Sequence, residues 1–538
     1  MDRKNIILSI IFSIIVLSIM GSIFGKKLYF PYEYDNKNFN KFNKILEYVS
    51  NFYVEPINWE ESWTGAIEGF LNKLDPHSVY IPVTDAELNE ENFQGKYQGI
   101  GIYFEIIDGY ITIIAPIPDS PSDKIGLLSG DKIVKIEGES VYNISNNEVQ
   151  KRLKGPKGSK VNITVVREEF RSPLEFTIVR DEIPIYSINT SFITEDKTGY
   201  ISINRFAKTT EEEMDKTLLE LEQQGLERLL LDLRGNAGGY LDQAVKLAAK
   251  FIDGHRLIVS TRGRLTYFNE NYYTDSFGSG NARDFPLIIL IDQASASASE
   301  ILAGAIQDYD RGLIVGTTSF GKGLVQREFT LNDNSKLRLT ISKYYTPSGR
   351  LIQKPYKGKN IDDYYLTRPD SLYTEANADS LLKEQIYYTS GGRPVYGGGG
   401  ITPDITIEAT EQLDLSNMTL HLLQKRVFFE FSSQYAQKKQ YLKRSFKNYL
   451  NNFKIDRVVL KEFKKYVEKK NIEIVDMEFN KDLNFIKRRL KSEIARSLWN
   501  NEKYYQVRVN EDKLYIEAMK LFPEAERLIY KYLKVNKN

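Results

Sequence analysis

The chain has 538 residues, a formal net charge of +1 from 73 Lys and Arg against 72 Asp and Glu, three histidines and no cysteine. This length calls for several domains, and the charge balance supplies no basic field of the kind nucleic acid needs. The lack of cysteine excludes disulfides, thiolate metal sites and a cysteine nucleophile, and the scattered His77, His255 and His421 offer no HExxH zinc pair.

The first 27 residues hold an uncharged, largely apolar run from Asn5 to Gly25 between Arg3–Lys4 and Lys26–Lys27. That is close to the roughly 20 residues a membrane-crossing helix requires. Met20 and Ile23 stand where a cleavage site would carry small residues ahead of Ser22 and Gly25, so the segment reads as an uncleaved signal anchor, 1–27. Basic residues on both flanks give little indication of orientation.

Residues 28–94 are expected to be a helical region. Phe42, Ile45, Leu46 and Val49, then Trp63, Ile67, Phe70 and Leu71, recur at helical spacing before the turn LDPHS, Leu74 to Ser78. His77, beside a proline, reads as a turn or packing residue.

Over 95–182 the pattern changes to short alternating strands around one helix, Asn146 to Leu153. GIG (Gly99, Ile100, Gly101) together with SPSDKIGLLSGDKI, Ser120 to Ile133, resembles a PDZ domain. The glycines leave backbone N–H groups free to form a nest for a terminal carboxylate, while the tail adds a strand to the sheet edge.

Strands and helices alternate over 183–409, which predicts an α/β core. Three segments in it carry chemistry. LLLDLRGNAGG ends a buried strand in a Gly-rich turn whose N–H groups could face an oxyanion. QASASASEI puts small residues and hydroxyls at a strand-to-helix turn, the geometry a serine nucleophile needs. GTTSFGK matches the start of a phosphate-binding loop, but Gly323 stands where a Ser or Thr should hold Mg²⁺, and LVQREFTL alternates like a strand. No histidine lies between Asp292 and Ala409 to activate a serine. Lysine is the remaining base, and Lys322, in an otherwise uncharged run from Gly312 to Gln326, can be desolvated toward neutrality. Gln326 is the candidate to orient its amine. Residues 410–538 are Lys-rich with helical spacing and read as an appended helical domain with a solvated basic face.

The markers LDPHS, the PDZ segment, DLRGNAGG, SASASEI, GTTSFGKGLVQ and VYGGGGITPD run in order from Leu74 to Asp404. On them the chain resembles the carboxyl-terminal processing (tail-specific) proteases, serine peptidases of the Ser–Lys type. The resemblance implies an α/β protease core with an inserted PDZ domain, Ser297 as nucleophile, Lys322 as base and Gln326 orienting it. It also implies an oxyanion hole from the N–H of Ala298 and of Gly238 or Gly239, with tail binding at Gly99, Ile100 and Gly101. Ala237 departs from the proline common in that turn, and the C-terminal extension lies outside the shared core. No metal or cofactor is implied. The partners are protein or peptide substrates with free C-terminal tails, the membrane through the N-terminal segment, and a homo-oligomer or adaptor; nucleic acid is not among them. The location implied is the inner membrane with the catalytic domain in the periplasm, or export after signal cleavage. An inactive PDZ scaffold or chaperone on the same fold is the alternative.

Overall fold

The computed structural model describes residues 36–167, 170–278, 282–366, 386–408 and 415–536. The expected anchor, 1–27, lies outside them. Among the described residues no helix is long and apolar enough to cross a membrane. Two compact units divide the chain, residues 1–70 and 71–538. In the first, the helical spacing produces a helix over Asn36–Phe52 and the start of another, Trp59–Leu71. Phe42 and Trp63 meet edge-on, with ring centroids 6.4 Å apart.

The second unit is built on a six-stranded sheet in the order Ile188–Ile193, Thr198–Ile203, Arg228–Asp232, Leu287–Ile291, Leu313–Gly316, Ile405–Thr406. The first pair is antiparallel and the rest are parallel. Strands covered on both faces read as continuous apolar runs, and alternate residues serve opposite layers. Leu229, Leu231, Ile289 and Ile291 pack on helices Leu241–Ala248 and Ala298–Asp308. Leu230, Ile288 and Leu290 face the other way, onto Leu514, Tyr515, Ala518 and Phe522. The chain's last helices, Lys513–Met519 and Phe522–Asn536, therefore complete the protease core instead of hanging from it.

A second sheet carries Lys336–Tyr345 between Leu257–Gly263 and the short strand Val79–Ile81, with Leu324–Thr330 paired along it. Residues just after LDPHS are thus strand, and LVQREFT is strand as its alternation predicts, not the helix a phosphate-binding loop requires.

The inserted β-rich domain forms a sheet in the order Ile102–Ile107, Tyr110–Pro116, Lys132–Ile136, Lys160–Val166, Leu174–Val179. Helix Asn146–Leu153 seals it with Val149 and Leu153. Its stems, Lys96–Gly99 and Asp181–Pro184, pair antiparallel. The glycine at position 101 is required: its φ is +82° and a Cβ there would meet Ser120 Cβ at 2.3 Å. Ile102–Ile107 is an edge strand of this sheet.

From Ser416 the chain is helical. Helix Arg457–Lys469 buries Val459, Phe463 and Val467, spaced four apart, and turns its lysines outward. They pack with Phe428, Phe431, Ile486 and Leu490 into a separate apolar cluster.

Candidate active site

Strand Leu287–Ile291 delivers the chain to a turn, and helix Ala298–Asp308 leaves it, with Ser297 between at φ 55° and ψ −114°. A non-glycine residue in that region costs about 1–3 kcal/mol and persists only where its surroundings over-determine it. Here they do. Asp292 Oδ1 accepts the N–H groups of Gly235 (3.0 Å), Ala294 (3.0 Å) and Ser295 (3.1 Å). Ser295 Oγ donates to Leu233 O, and Ser299 Oγ to Asn236 O, each at 2.9 Å. These bonds lace the turn after Asp232 to the one before Ser297. The fit explains the small residues: a Cβ on Gly238 would lie 2.8 Å from Ser297 Cβ and 2.9 Å from Ala298 N. Gly238 N–H itself donates to Asn236 Oδ1 at 2.8 Å.

Glu300, wholly buried, was not singled out from sequence. Its Oε2 accepts the N–H of Ser297 (2.8 Å) and of Lys322 (2.9 Å), and its Oε1 accepts Ser319 Oγ (2.5 Å) and Gly321 N–H (2.7 Å). Burial raises its pKa against the pull of these donors. The sequence did hold a signal, since Ser297 and Glu300 stand at capping-box spacing.

Lys322 lowers its pKa to about 8, first through burial and then through the nearby Arg338 guanidinium, while Glu300 and Asp75 oppose the shift. Its Nζ donates to Gln326 Oε1 at 2.7 Å. Gln326 Nε2 in turn donates to the backbone carbonyl of His77. That carbonyl is fixed by LDPHS: Asp75 Oδ1 accepts the N–H of His77 and of Ser78, each at 2.9 Å, and Thr340 Oγ1 at 3.0 Å. The His77 ring is packed, as expected, and hydrogen-bonds Tyr364 OH at 2.9 Å. Burial, followed by the Lys322 charge, lowers its pKa to about 3, so the ring is neutral under ordinary conditions. His255 is an exposed turn residue beside Asp275.

Ser297, Lys322, Gln326, Gly238 and Gly239 line one cleft of about 850 Å³, whose apolar wall includes Ile301, Leu324, Val325 and Tyr344. The amine's hydrogen bond runs to Gln326 Oε1 and not to Ser297 Oγ. Lys354 is also lowered to about 8 by burial, but it sits over the Phe320 ring at 3.9 Å and is not among the cleft residues.

In the inserted domain, Ile117 N–H and Ser120 Oγ both donate to Gly101 O at 3.0 Å, and Ser122 N–H donates to Ile100 O at 3.0 Å. The carbonyls of Ile100 and Gly101 are thereby turned inward. The N–H groups of Gly101 and Ile102 face the Tyr97 phenol, whose pKa burial raises.

Residues 197–362 match the peptidase family S41, 112–167 a PDZ domain and 27–85 the activating protease CtpB N-terminal domain; 419–500 match a family of unknown function. The carboxy-terminal processing protease CtpB of Bacillus subtilis is 36% identical over 365 residues, 65% of this chain and 75% of that protein. The chain belongs to the carboxy-terminal processing proteases. It is a serine-type peptidase carrying a PDZ domain. A carboxy-terminal-processing protease of Bartonella bacilliformis is 37% identical over 321 residues, 59% of this chain and 73% of that one. The solved photosystem II D1 C-terminal processing protease aligns at 24% identity over 68% of this chain and 86% of its own, with a TM-score of 0.33.

Proposed function

We propose that this carboxy-terminal processing protease cuts proteins captured by their C-terminal tails, with Ser297 as nucleophile and Lys322 as general base. The observation that carries the reading is the Lys322 amine: depressed by burial and held by the neutral oxygen of Gln326 in the cleft that Ser297 also lines. A carboxylate in place of Gln326 would restore the charge that burial removes.

Neutral Lys322 takes the Ser297 hydroxyl proton as Oγ bonds to the scissile carbonyl carbon. The oxyanion is held by Ala298 N–H and a glycine N–H; Gly238 already donates to Asn236, which favours Gly239. The C–N bond then breaks, and the Lys322 ammonium gives its proton to the leaving amine. Water, deprotonated by Lys322, then attacks the acyl carbon; the bond from that carbon to Ser297 Oγ breaks, and Lys322 returns the proton to Oγ as the acid product leaves. Retention of Ser297 and Lys322 in one cleft favours this reading over an inactive PDZ scaffold.

The PDZ domain would hold the tail carboxylate at Gly99–Gly101 and the tail as a strand along Ile102–Ile107, raising the concentration of the upstream segment at Ser297. Residues 1–27 would anchor the enzyme with the rest of the chain outside the cytoplasm. Protease accessibility on intact spheroplasts tests that location, which protection until lysis would refute. The activity is tested by incubating the purified protein with an unfolded free-acid substrate beside Ser297→Ala. Cleavage by the parent alone is expected; equal cleavage by both would sink the assignment.

A further inference from the structure

The segment 419–500, which matches a family of unknown function, touches the PDZ domain through a fitted seat. Ser433 Oγ on helix Val427–Lys438 donates to Ser129 O at 2.8 Å, and Gln437 Nε2 reaches the same oxygen at 3.4 Å. Ser129 Oγ lies 3.4 Å from Ser497 Oγ on helix Leu483–Leu498. Beside them Gly130, at φ +91°, has no room for a side chain, because a Cβ would meet Ser433 Oγ at 2.2 Å. Phe429, 3% exposed, forms an apolar plug with Ile107 and Ile114. At the rim, Arg426 pairs with Glu105 at 2.6 Å and Lys470 with Asp108 at 3.4 Å.

The same helical body is fastened to the catalytic core at its other end. Helix Asn501–Val509 runs beside strand Ile188–Ile193, and Val509, Leu514, Tyr515 and Phe522 enter the layer on the main sheet. Asp512 pairs with Arg234 at 2.8 Å, one residue before the Gly235–Gly239 turn that faces Ser297. Without these contacts the PDZ domain would be held mainly by the paired stems Lys96–Gly99 and Asp181–Pro184 and by the Lys154–Glu91 ion pair at 2.5 Å. Domains joined so lightly move relative to each other by default.

We propose that the helices from Ser416 to Val509 are a bracket that keeps the PDZ domain seated on the protease core throughout turnover. A captured tail is then presented to Ser297 from a fixed point. The inference rests on the tail-capture reading, and it gives the C-terminal helices a function: they set the offset between the tail site and the cutting site.

The chain contains no cysteine, so a single engineered pair reports without background. Facing hydroxyls 3.4 Å apart suit a disulfide with small rotamer shifts, so Ser129→Cys with Ser497→Cys should bridge in the full-length protein on oxidation. The bridged enzyme is expected to cleave a free-acid, tail-bearing protein within about twofold of its reduced form. Loss of that cleavage on oxidation, restored by reductant, would show that the domain must unseat and overturn the proposal. Failure of the pair to bridge in the native protein would overturn it as well. Ser433→Trp, which unseats the domain, should slow tail-dependent cleavage at least tenfold and leave a short peptide unaffected; an unchanged rate on the tailed protein also contradicts the bracket. Comparing free-acid with amidated tails on the reduced enzyme separates the two ideas. Equal rates there remove tail capture, while the oxidised-to-reduced ratio still reads whether the domain stays seated.

Discussion

Lys322 Nζ donates to Gln326 Oε1 at 2.7 Å, and Gln326 is locked from behind by the His77 carbonyl. The amine is oriented by a neutral acceptor, so its direction is fixed while burial still holds its pKa at about 8. Only the unprotonated amine can take a proton from serine. Below pH 8 the active fraction falls about tenfold per pH unit, and above it the fraction saturates. The kcat/KM of cleavage should therefore rise from pH 6 and level off past a midpoint near 8. Because His77 is neutral above pH 3, it should add no second limb in that window. A flat profile would speak against a titrating base.

Replacing the base separates charge from chemistry. Lys322→Arg keeps the cation but supplies no proton acceptor, since guanidinium stays charged. The loss in kcat should be on the order of 10²–10⁴, the usual worth of a general base. Gln326→Ala should cost less, about tenfold, because the amine remains and only its aim is relaxed. The two rate constants, measured on a short peptide, check the ranking.

Glu300 ties Ser297 to Lys322 through its own carboxylate. In Glu300→Gln one carboxylate oxygen becomes an NH₂ group facing backbone donors. Leaving such buried groups unpaired costs about 1–3 kcal/mol. The variant should melt at lower temperature and lose kcat at least tenfold with KM little changed. Parent-like kcat in a correctly folded Glu300→Gln would show that the brace does not position the pair.

Phe522 is fully buried against the main sheet, in the layer with Leu230, Ile288 and Leu290. Phe522→Ala should destabilise the catalytic core by about 3–5 kcal/mol. Tyr530→Ala, at a residue 71% exposed on the same final helix, should change stability little. Denaturant unfolding followed by core fluorescence compares them.

Much of this arrangement was readable from local pattern. The alternation of Leu324–Thr330 separated a strand from a phosphate-binding loop, and the apolar runs Leu229–Leu231 and Leu287–Ile291 announced strands covered on both faces. Lys322 stood out because its neighbours in sequence carry no charge. What covers the second face was not readable, since any apolar helix can fill that layer, and Leu514 to Phe522 arrive from far along the chain. The part played by LDPHS was hidden for another reason. His77 acts on Gln326 through a backbone carbonyl, which any residue possesses, so its side chain gave no hint. The PDZ seat at Ser129, Gly130 and Ser433 was equally silent, because small residues mark close approach only after the partner is known.

Covalent trapping decides whether Ser297 is the nucleophile and neutral Lys322 its activator. The protein is treated with a serine-phosphonylating reagent from pH 6 to 10, and the adduct is located and timed by peptide mass mapping. One active-site adduct is expected, on Ser297, forming at a rate that rises to a plateau past pH 8, with Lys322→Arg labelled only at background. An adduct on another serine, or labelling of Lys322→Arg at the parent rate, would contradict it.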